Sequence, residues 1–297
     1  MYEHEPSQRF NPLNDYLFFK VMGEKGDEPQ LLGFLNAVLG RSGKKPIESV
    51  EIMENTSFIK GVLEGKSCIL DVLAVLQNGT KVNIEVQLRN EYNMERRSLF
   101  YWSKVYFDSL NSGQDYRKLP NVIAINIVDF DFPPEGDTHT YFHLREANNP
   151  SLILSPVLEI HFINMVKWRR GKKDLNDPLN RWLAWFDEGS PPELIAEVAN
   201  MDSAIMAANE RQHFIIQNEE EYQLYWMRRK AEHDRISSLN GARMKGEEIG
   251  RQEGREEREM EIARNALAKG ATPDFVQEIT GLDIDAIRNI QALPRSS

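Results

Sequence analysis

Two apolar runs on either side of an Asn-Gly pair constrain this chain more than any other feature. Cys68 to Leu76 and Lys81 to Leu88 are rich in Val, Ile and Leu, and Gln77-Asn78-Gly79-Thr80 lies between them. An Asn-Gly pair between strand-like runs is the strongest short-range hairpin signal, so two antiparallel strands joined by a tight turn are expected. Period-two alternation puts Ile69, Asp71 and Leu73 on one face of the first strand. In the second strand it puts Asn83, Glu85 and Gln87 together, opposite Val82, Ile84 and Val86. Asp71 and Glu85 are thus carboxylates set among apolar neighbours, where burial without a partner is costly. Two such groups on adjacent strands also repel, and a divalent cation relieves both problems. Mg²⁺ takes oxygen ligands, often one or two carboxylates with water and substrate phosphate. Periodicity leaves an equal alternative open, with Glu85 facing solvent on a half-exposed sheet and Asp71 held by a hydrogen bond.

The segments around the hairpin predict an α/β domain. Residues 11 to 40 read as helical, with Asn14 or Asp15 able to cap a run carrying Leu17, Phe18, Val21 and Met22. Gly40 to Pro46 is a loop by composition, and a short strand with turns follows from Ile47 to about Val62. Arg89 to Asn111 reads as a helix with Leu99, Trp102, Tyr106 and Leu110 on one face. Val122 to Val128 is nearly continuous apolar and predicts a buried strand parallel to its neighbour. Further strands are expected at Thr140 to Leu144 and Val157 to Met165, and the chain turns helical beyond Asp174.

Between Met227 and Glu261 both charge signs are dense and glycines recur at 246, 250 and 254, which predicts a solvated, fraying helix or linker. From Ile262 an apolar pattern returns, broken by Thr272-Pro273 and Gly281, in the outline of a helix-turn-helix. Plain three-helix packing shares that outline, so DNA reading, docking and self-association through these C-terminal helices all stay open. The expected divisions are 1–225 for the main domain with a helical extension, 226–261 for the charged linker and 262–297 for the helical tail.

Composition removes several classes of function. The net charge of −10 argues against a generic nucleic-acid coat protein, yet leaves room for a local basic surface or a metal ion at a cutting site. The single cysteine, Cys68, precludes an intramolecular disulfide and any cysteine-based zinc cluster. No apolar stretch approaches the ~20 residues of a membrane helix, and the first residues lack the pattern of a secretory signal. A cytoplasmic protein is the expectation. No phosphate-binding glycine loop, dinucleotide fingerprint or serine nucleophile elbow occurs. His139 and His143 fall in a strand-like region where helical ligand spacing does not apply. His161, alternating with Glu159, reads as a structural histidine.

Ile-Leu-Asp71-Val-Leu, the Asn-Gly turn, and Asn-Ile-Glu85-Val-Gln87-Leu together resemble the active-site hairpin of the PD-(D/E)XK nuclease superfamily. The likeness extends to its recombination-promoting nuclease and transposase-like branch. Asn14 to Lys20 resembles that family's N-terminal helix motif, Arg97 to Tyr106 its post-hairpin helix, and Leu158 to Phe162 a later strand. The resemblance spans about residues 10 to 293 and implies a restriction-endonuclease-like mixed sheet flanked by helices, followed by a helical C-terminal region. It further implies that Asp71 and Glu85 bind Mg²⁺ (Mn²⁺ being the other candidate), with the backbone carbonyl of Val86 as a third ligand. Gln87 stands where many members carry lysine. An amide cannot supply that charge, but it can orient water or a phosphate oxygen.

Asp15 is either an outer metal ligand or a helix cap. Lys20, Arg97 and Tyr101 either contact phosphate or are ordinary half-buried helix residues. The activity implied is metal-dependent hydrolysis of DNA phosphodiesters, in recombination, mobile-element biology or defence against foreign DNA. The rival is a catalytically weak or inactive DNA-binding or assembly protein on the same fold.

Overall fold

A computed structural model describes residues 9–53 and 72–292. Asp71 and Cys68, with the rest of the first predicted strand before Val72, lie outside the described residues. Two compact units make up the chain, residues 1–229 and residues 230–297.

In the first unit, helix α1 (Asp15–Met22) starts at Asn14, whose side chain accepts from the Leu17 amide at 3.3 Å. Leu17, Phe18, Val21 and Met22 are buried at helical spacing, as the sequence predicts. Helix α2 (Glu28–Gly40) carries Pro29 in its first turn, where the missing N–H costs nothing. Strand β1 (Val50–Ile52) pairs antiparallel with β2 (Val72–Leu76), and β2 pairs antiparallel with β3 (Lys81–Gln87).

The connection between β2 and β3 uses the Asn-Gly pair in a particular way. The Gly79 amide donates to Leu76 O at 2.8 Å, and Leu76 N donates to Thr80 O at 2.9 Å. Gly79 has φ +80° while Asn78 stays at negative φ. This is the three-residue loop, a β-turn closed by a left-handed glycine, rather than the two-residue turn that needs two left-handed residues.

Helix α3 (Met94–Phe107) crosses from β3 to β4 (Val122–Val128), which runs parallel to β3 and is buried along its whole length. β5 (His139–His143) and β6 (Leu158–Asn164) follow, and among the described residues the sheet order is β1-β2-β3-β4-β6-β5. β4 and β6 are parallel, and β5 closes the edge antiparallel to β6. The result is the expected mixed sheet in an α/β fold, with helices flanking it.

One sheet face, carrying Val82, Ile84, Ile123, Ile125, Ile127 and Ile163, joins the main hydrophobic core. That core continues into α1, α2 and the helices α5 (Pro178–Phe186), α6 (Pro192–Met201) and α7 (Ser203–Gln217), after the short α4 (Met165–Arg170). The opposite face, with Ala124, Val128, Ile160 and Phe162, packs with Met94 and Trp102 of α3.

The inward side of α3 differs from the apolar stripe in its sequence. Met94, Ser98, Tyr101 and Val105 are buried, whereas Leu99 is 50% exposed. Leu110 lies beyond the helix end. The sheet face beneath α3 carries polar side chains, and this makes Ser98 a better neighbour there than leucine.

Helix α8 (Glu219–Ala268) is continuous through Gly241, Gly246, Gly250 and Gly254, and residues 239 to 258 are exposed. Tyr225 near its start is buried and meets Phe10 edge-on at 5.2 Å. In the second unit, the end of α8 packs with α9 (Pro273–Thr280) and α10 (Ile284–Ala292) around Ala263, Val276 and Ile287. Thr272 caps α9, and Gly281 ends it at φ +72°. These are the helix boundaries the sequence signals predict.

Candidate active site

Glu85 lies on β3 with Asn83 and Gln87 on the face that α3 covers. The parallel register sets Asn83 against Ala124, Glu85 against Asn126 and Gln87 against Val128. Asn83, Glu85 and Asn126 are 0%, 5% and 1% exposed, which removes the solvent-facing alternative for Glu85. Asn83 donates through Nδ2 to Glu85 Oε1 at 3.2 Å, while its own Oδ1 is buried without a hydrogen-bond partner. Asn126 donates to the His161 carbonyl at 3.1 Å, and Ser98 Oγ of α3 lies 3.2 Å from Asn126 Oδ1. A carboxylate, two carboxamides and a hydroxyl are therefore enclosed together between sheet and helix.

Asn126 and Ser98 are members of this group that the hairpin pattern did not point to. The available signal was the lone Asn inside Val-Ile-Ala-Ile-Asn-Ile-Val, a polar residue in a strand otherwise built for burial.

Gln87 is half-buried at the end of β3, and its Nε2 donates to Arg89 O at 3.3 Å. Its main-chain carbonyl accepts from Asp129 N at 3.0 Å, which ties the ends of β3 and β4 together. Val86 faces the other side of β3 and packs at the margin of the main core.

The remaining candidates have partners of their own. Asp15 is half exposed, with Oδ1 2.7 Å from the Tyr16 amide and Oδ2 3.9 Å from Arg228. The cap of α1 is Asn14 rather than Asp15. Lys20 Nζ lies 2.6 Å from Glu24 and 3.0 Å from Glu221. Arg97 lies 3.6 Å from Glu91 and 5.4 Å from the centre of the buried Tyr101 ring.

A second polar group occupies the opposite sheet face, at β5 and β6. His161 Nε2 lies 2.7 Å from Glu159 Oε1, Lys44 Nζ lies 2.6 Å from Glu159 Oε2, and His139 Nε2 lies 2.9 Å from His161 Nδ1. Burial alone would raise Glu159, but the bonds from His161 and Lys44 outweigh it and hold its pKa down to about 2. Burial, reinforced by the neighbouring His161, pushes His139 down to about 3. With both rings neutral, His161 donates from Nε2 to the carboxylate and accepts at Nδ1 from His139. His161 is thus the satisfied structural histidine expected from its strand position.

One protein-family model matches residues 12–242, and its description is PD-(D/E)XK nuclease family transposase. The chain belongs to this family. Neither the curated proteins nor the solved structures gave a match. Membership in the PD-(D/E)XK nuclease family agrees with the mixed six-stranded sheet and its flanking helices. PD-(D/E)XK nucleases generally use divalent metals, and DNA is the substrate that a nuclease family suggests. Among the described residues no helix is long and apolar enough to cross a membrane.

The donors around Glu85 are of the chemical type such a metal takes. They are oxygens of carboxylate and amide type, the hard ligands that Mg²⁺ and Mn²⁺ take, and Asn83 Oδ1 is a buried acceptor with no hydrogen bond. Among the described residues no group of three or more His, Cys, Asp or Glu could hold an ion. Carboxylates outside those residues would have to complete it.

Proposed function

We propose that this PD-(D/E)XK family chain is a divalent-metal-dependent endonuclease that hydrolyses DNA phosphodiesters, with Asp71, Glu85 and Gln87 at its centre. The observation that carries the proposal is Glu85 itself, a carboxylate buried on the central strand beside an amide oxygen that lacks a partner. Asp71 immediately precedes Val72, which pairs with Ile84. The Val86 main-chain carbonyl is proposed as a further oxygen ligand.

A divalent ion held by these oxygens would supply Lewis acidity at the phosphoryl group and lower the pKa of a bound water. The residues of the chain do the positioning. Asn83 Nδ2 holds one carboxylate oxygen of Glu85, which fixes the plane of the carboxylate. Gln87 can donate to a phosphate oxygen or accept from a water, but it cannot take a proton, so it orients rather than acts as a base. Asp15, Lys20, Arg97 and Tyr101 remain proposed contributors to metal or phosphate binding. A mobile-element setting is the one that the transposase description favours, and recombination or defence against foreign DNA is proposed from the resemblance.

The test is cleavage of supercoiled plasmid with Mg²⁺, Mn²⁺ or EDTA by the wild type, Asp71→Ala and Glu85→Gln. Metal-dependent nicking or linearisation that falls at least a hundredfold in both variants is the expected outcome. Equal cutting by all three proteins would remove the assignment. The hydrogen bond from the Gln87 side chain back to Arg89 O favours a second reading, DNA binding without cutting. In that case all three proteins would shift DNA in a gel and none would cleave it.

A further inference from the structure

The first unit contains a cavity of about 1050 Å³ lined by residues 9–10, 169 and 187–191 and by the helices α6 to α8. No residue of β3 or α3 lines it. Its volume is at the upper end of the range for small-molecule sites. Ser190 and Gln212 line it and are only 6% and 4% exposed, yet Ser190 Oγ and Gln212 Oε1 have no hydrogen-bond partner. Leaving such atoms unsatisfied is costly, so two of them at one cavity call for a polar group from outside the chain.

The charge at this cavity has the opposite sign to that of the chain. Arg9, Arg169 and Arg229 line it against Asp187 and Glu188, within a protein of net charge −10. Arg9 donates to Trp185 O at 2.6 Å and Asp187 O at 2.7 Å, which holds it rigidly and accounts for two of the five N–H groups of a guanidinium. Arg229 lies 3.1 Å from Glu188 and donates to Tyr225 Oη at 3.0 Å. Phe10, Pro191, Pro192, Ile195 and Ile216 supply apolar wall. Held guanidinium groups suit a phosphate, apolar walls suit a flat ring, and the buried Gln212 oxygen needs an N–H donor on that ring.

We propose that this cavity binds a nucleoside monophosphate, with the base against the apolar wall and Gln212, and the phosphate toward the arginines. The site is distinct from Glu85 but connected to it. The Gln87 carbonyl accepts from Asp129 N, Asp129 is ion-paired with Arg169, and Arg169 Nε lies 2.7 Å from Asp187 at the cavity wall.

The experiment is calorimetric titration of the full chain in EDTA with deoxyadenosine monophosphate, and separately with inorganic phosphate. The proteins are the wild type, Gln212→Leu, Ser190→Ala and Glu85→Gln, each checked for native thermal unfolding. Binding that weakens about tenfold in the Gln212 and Ser190 variants, stays unchanged in Glu85→Gln, and is much weaker for phosphate alone is the expected result. Should Gln212→Leu fail to fold, Ser190→Ala carries the comparison. No heat at millimolar nucleotide, or equal affinity in the cavity variants, would overturn the proposal and leave a water-filled space. Equal affinity for inorganic phosphate would overturn the nucleoside assignment. Loss of binding in Glu85→Gln alone would place the ligand at the nuclease centre. Cleavage is not measured, so failure here leaves the nuclease proposal intact.

Discussion

At the residue scale, two buried carboxylates give the protein opposite responses to pH. Burial raises Asp27 to about 7, and the nearby Arg211, 3.4 Å away, only partly offsets it. The folded chain therefore keeps a proton that the unfolded chain releases, and this contribution to stability declines as pH rises from about 4 to 7. Glu159 behaves in the reverse sense. Its pKa of about 2 lies below the ordinary 4.5, so its contribution is full above pH 4.5 and is lost as pH falls toward 2. Urea unfolding across pH should show Asp27→Asn losing the decline between pH 4 and 7 and being more stable than wild type at pH 8. Glu159→Gln should lose part of its stability at neutral pH, and the acid-side decline below pH 4.5 should become shallower. Legibility in the sequence was uneven at this scale. The alternation around Glu85 was plain, but a strand with Asn, Glu and Gln on one face looks alike whether that face is wet or covered.

At the element scale, α2 and α7 come into close contact at Gly33. A Cβ added there would stand 2.3 Å from the Ala204 Cβ and 3.4 Å from Trp182 Cζ2. Neither the alanine Cβ nor the buried indole can swing aside, so Gly33→Ala should cost about 1–3 kcal/mol in chemical denaturation, with unfolding still cooperative. The glycines of α8 are in the opposite situation. Nothing lies within 4 Å of a Cβ at Gly246, Gly250 or Gly254. Replacing each by alanine should stabilise the helix by about 0.5–1 kcal/mol, read as a gain in far-ultraviolet helicity and a higher melting temperature for the second unit. The sequence signalled glycine every fourth residue as a weakness in the helix. The i,i+4 pairs Arg243–Glu247 and Arg255–Glu259 lie along the same stretch and support it.

At the scale of the whole molecule, α8 carries a solvent-exposed stretch of about five turns within the second unit. Limited trypsin digestion should cut first at the lysines and arginines between residues 243 and 258, because exposed helix held by few tertiary contacts opens at low cost. Mass spectrometry should then recover a resistant fragment ending close to these sites. First cuts within residues 72–229 would contradict this ranking of stabilities. The acidic net charge does not by itself oppose a DNA substrate, since the Coulombic attraction that matters to a phosphate is local.

By itself the sequence determined what local chemistry encodes: the hairpin at Asn78-Gly79, the buried β4, the helix start at Thr272-Pro273 and the stop at Gly281. Each depends on a few consecutive residues, whose backbone preferences and spacing act before any distant contact forms. Tertiary structure alone decided that α3 turns Ser98 and Tyr101 inward, that Asn126 stands beside Glu85, and that His139, His161, Glu159 and Lys44 form one network. It also decided that Ser190 and Gln212 share a cavity with three arginines. These groupings join segments far apart in sequence. Periodicity states which side chains share a face, but only the partner strands and helices determine whether that face meets water, another element or an enclosed space.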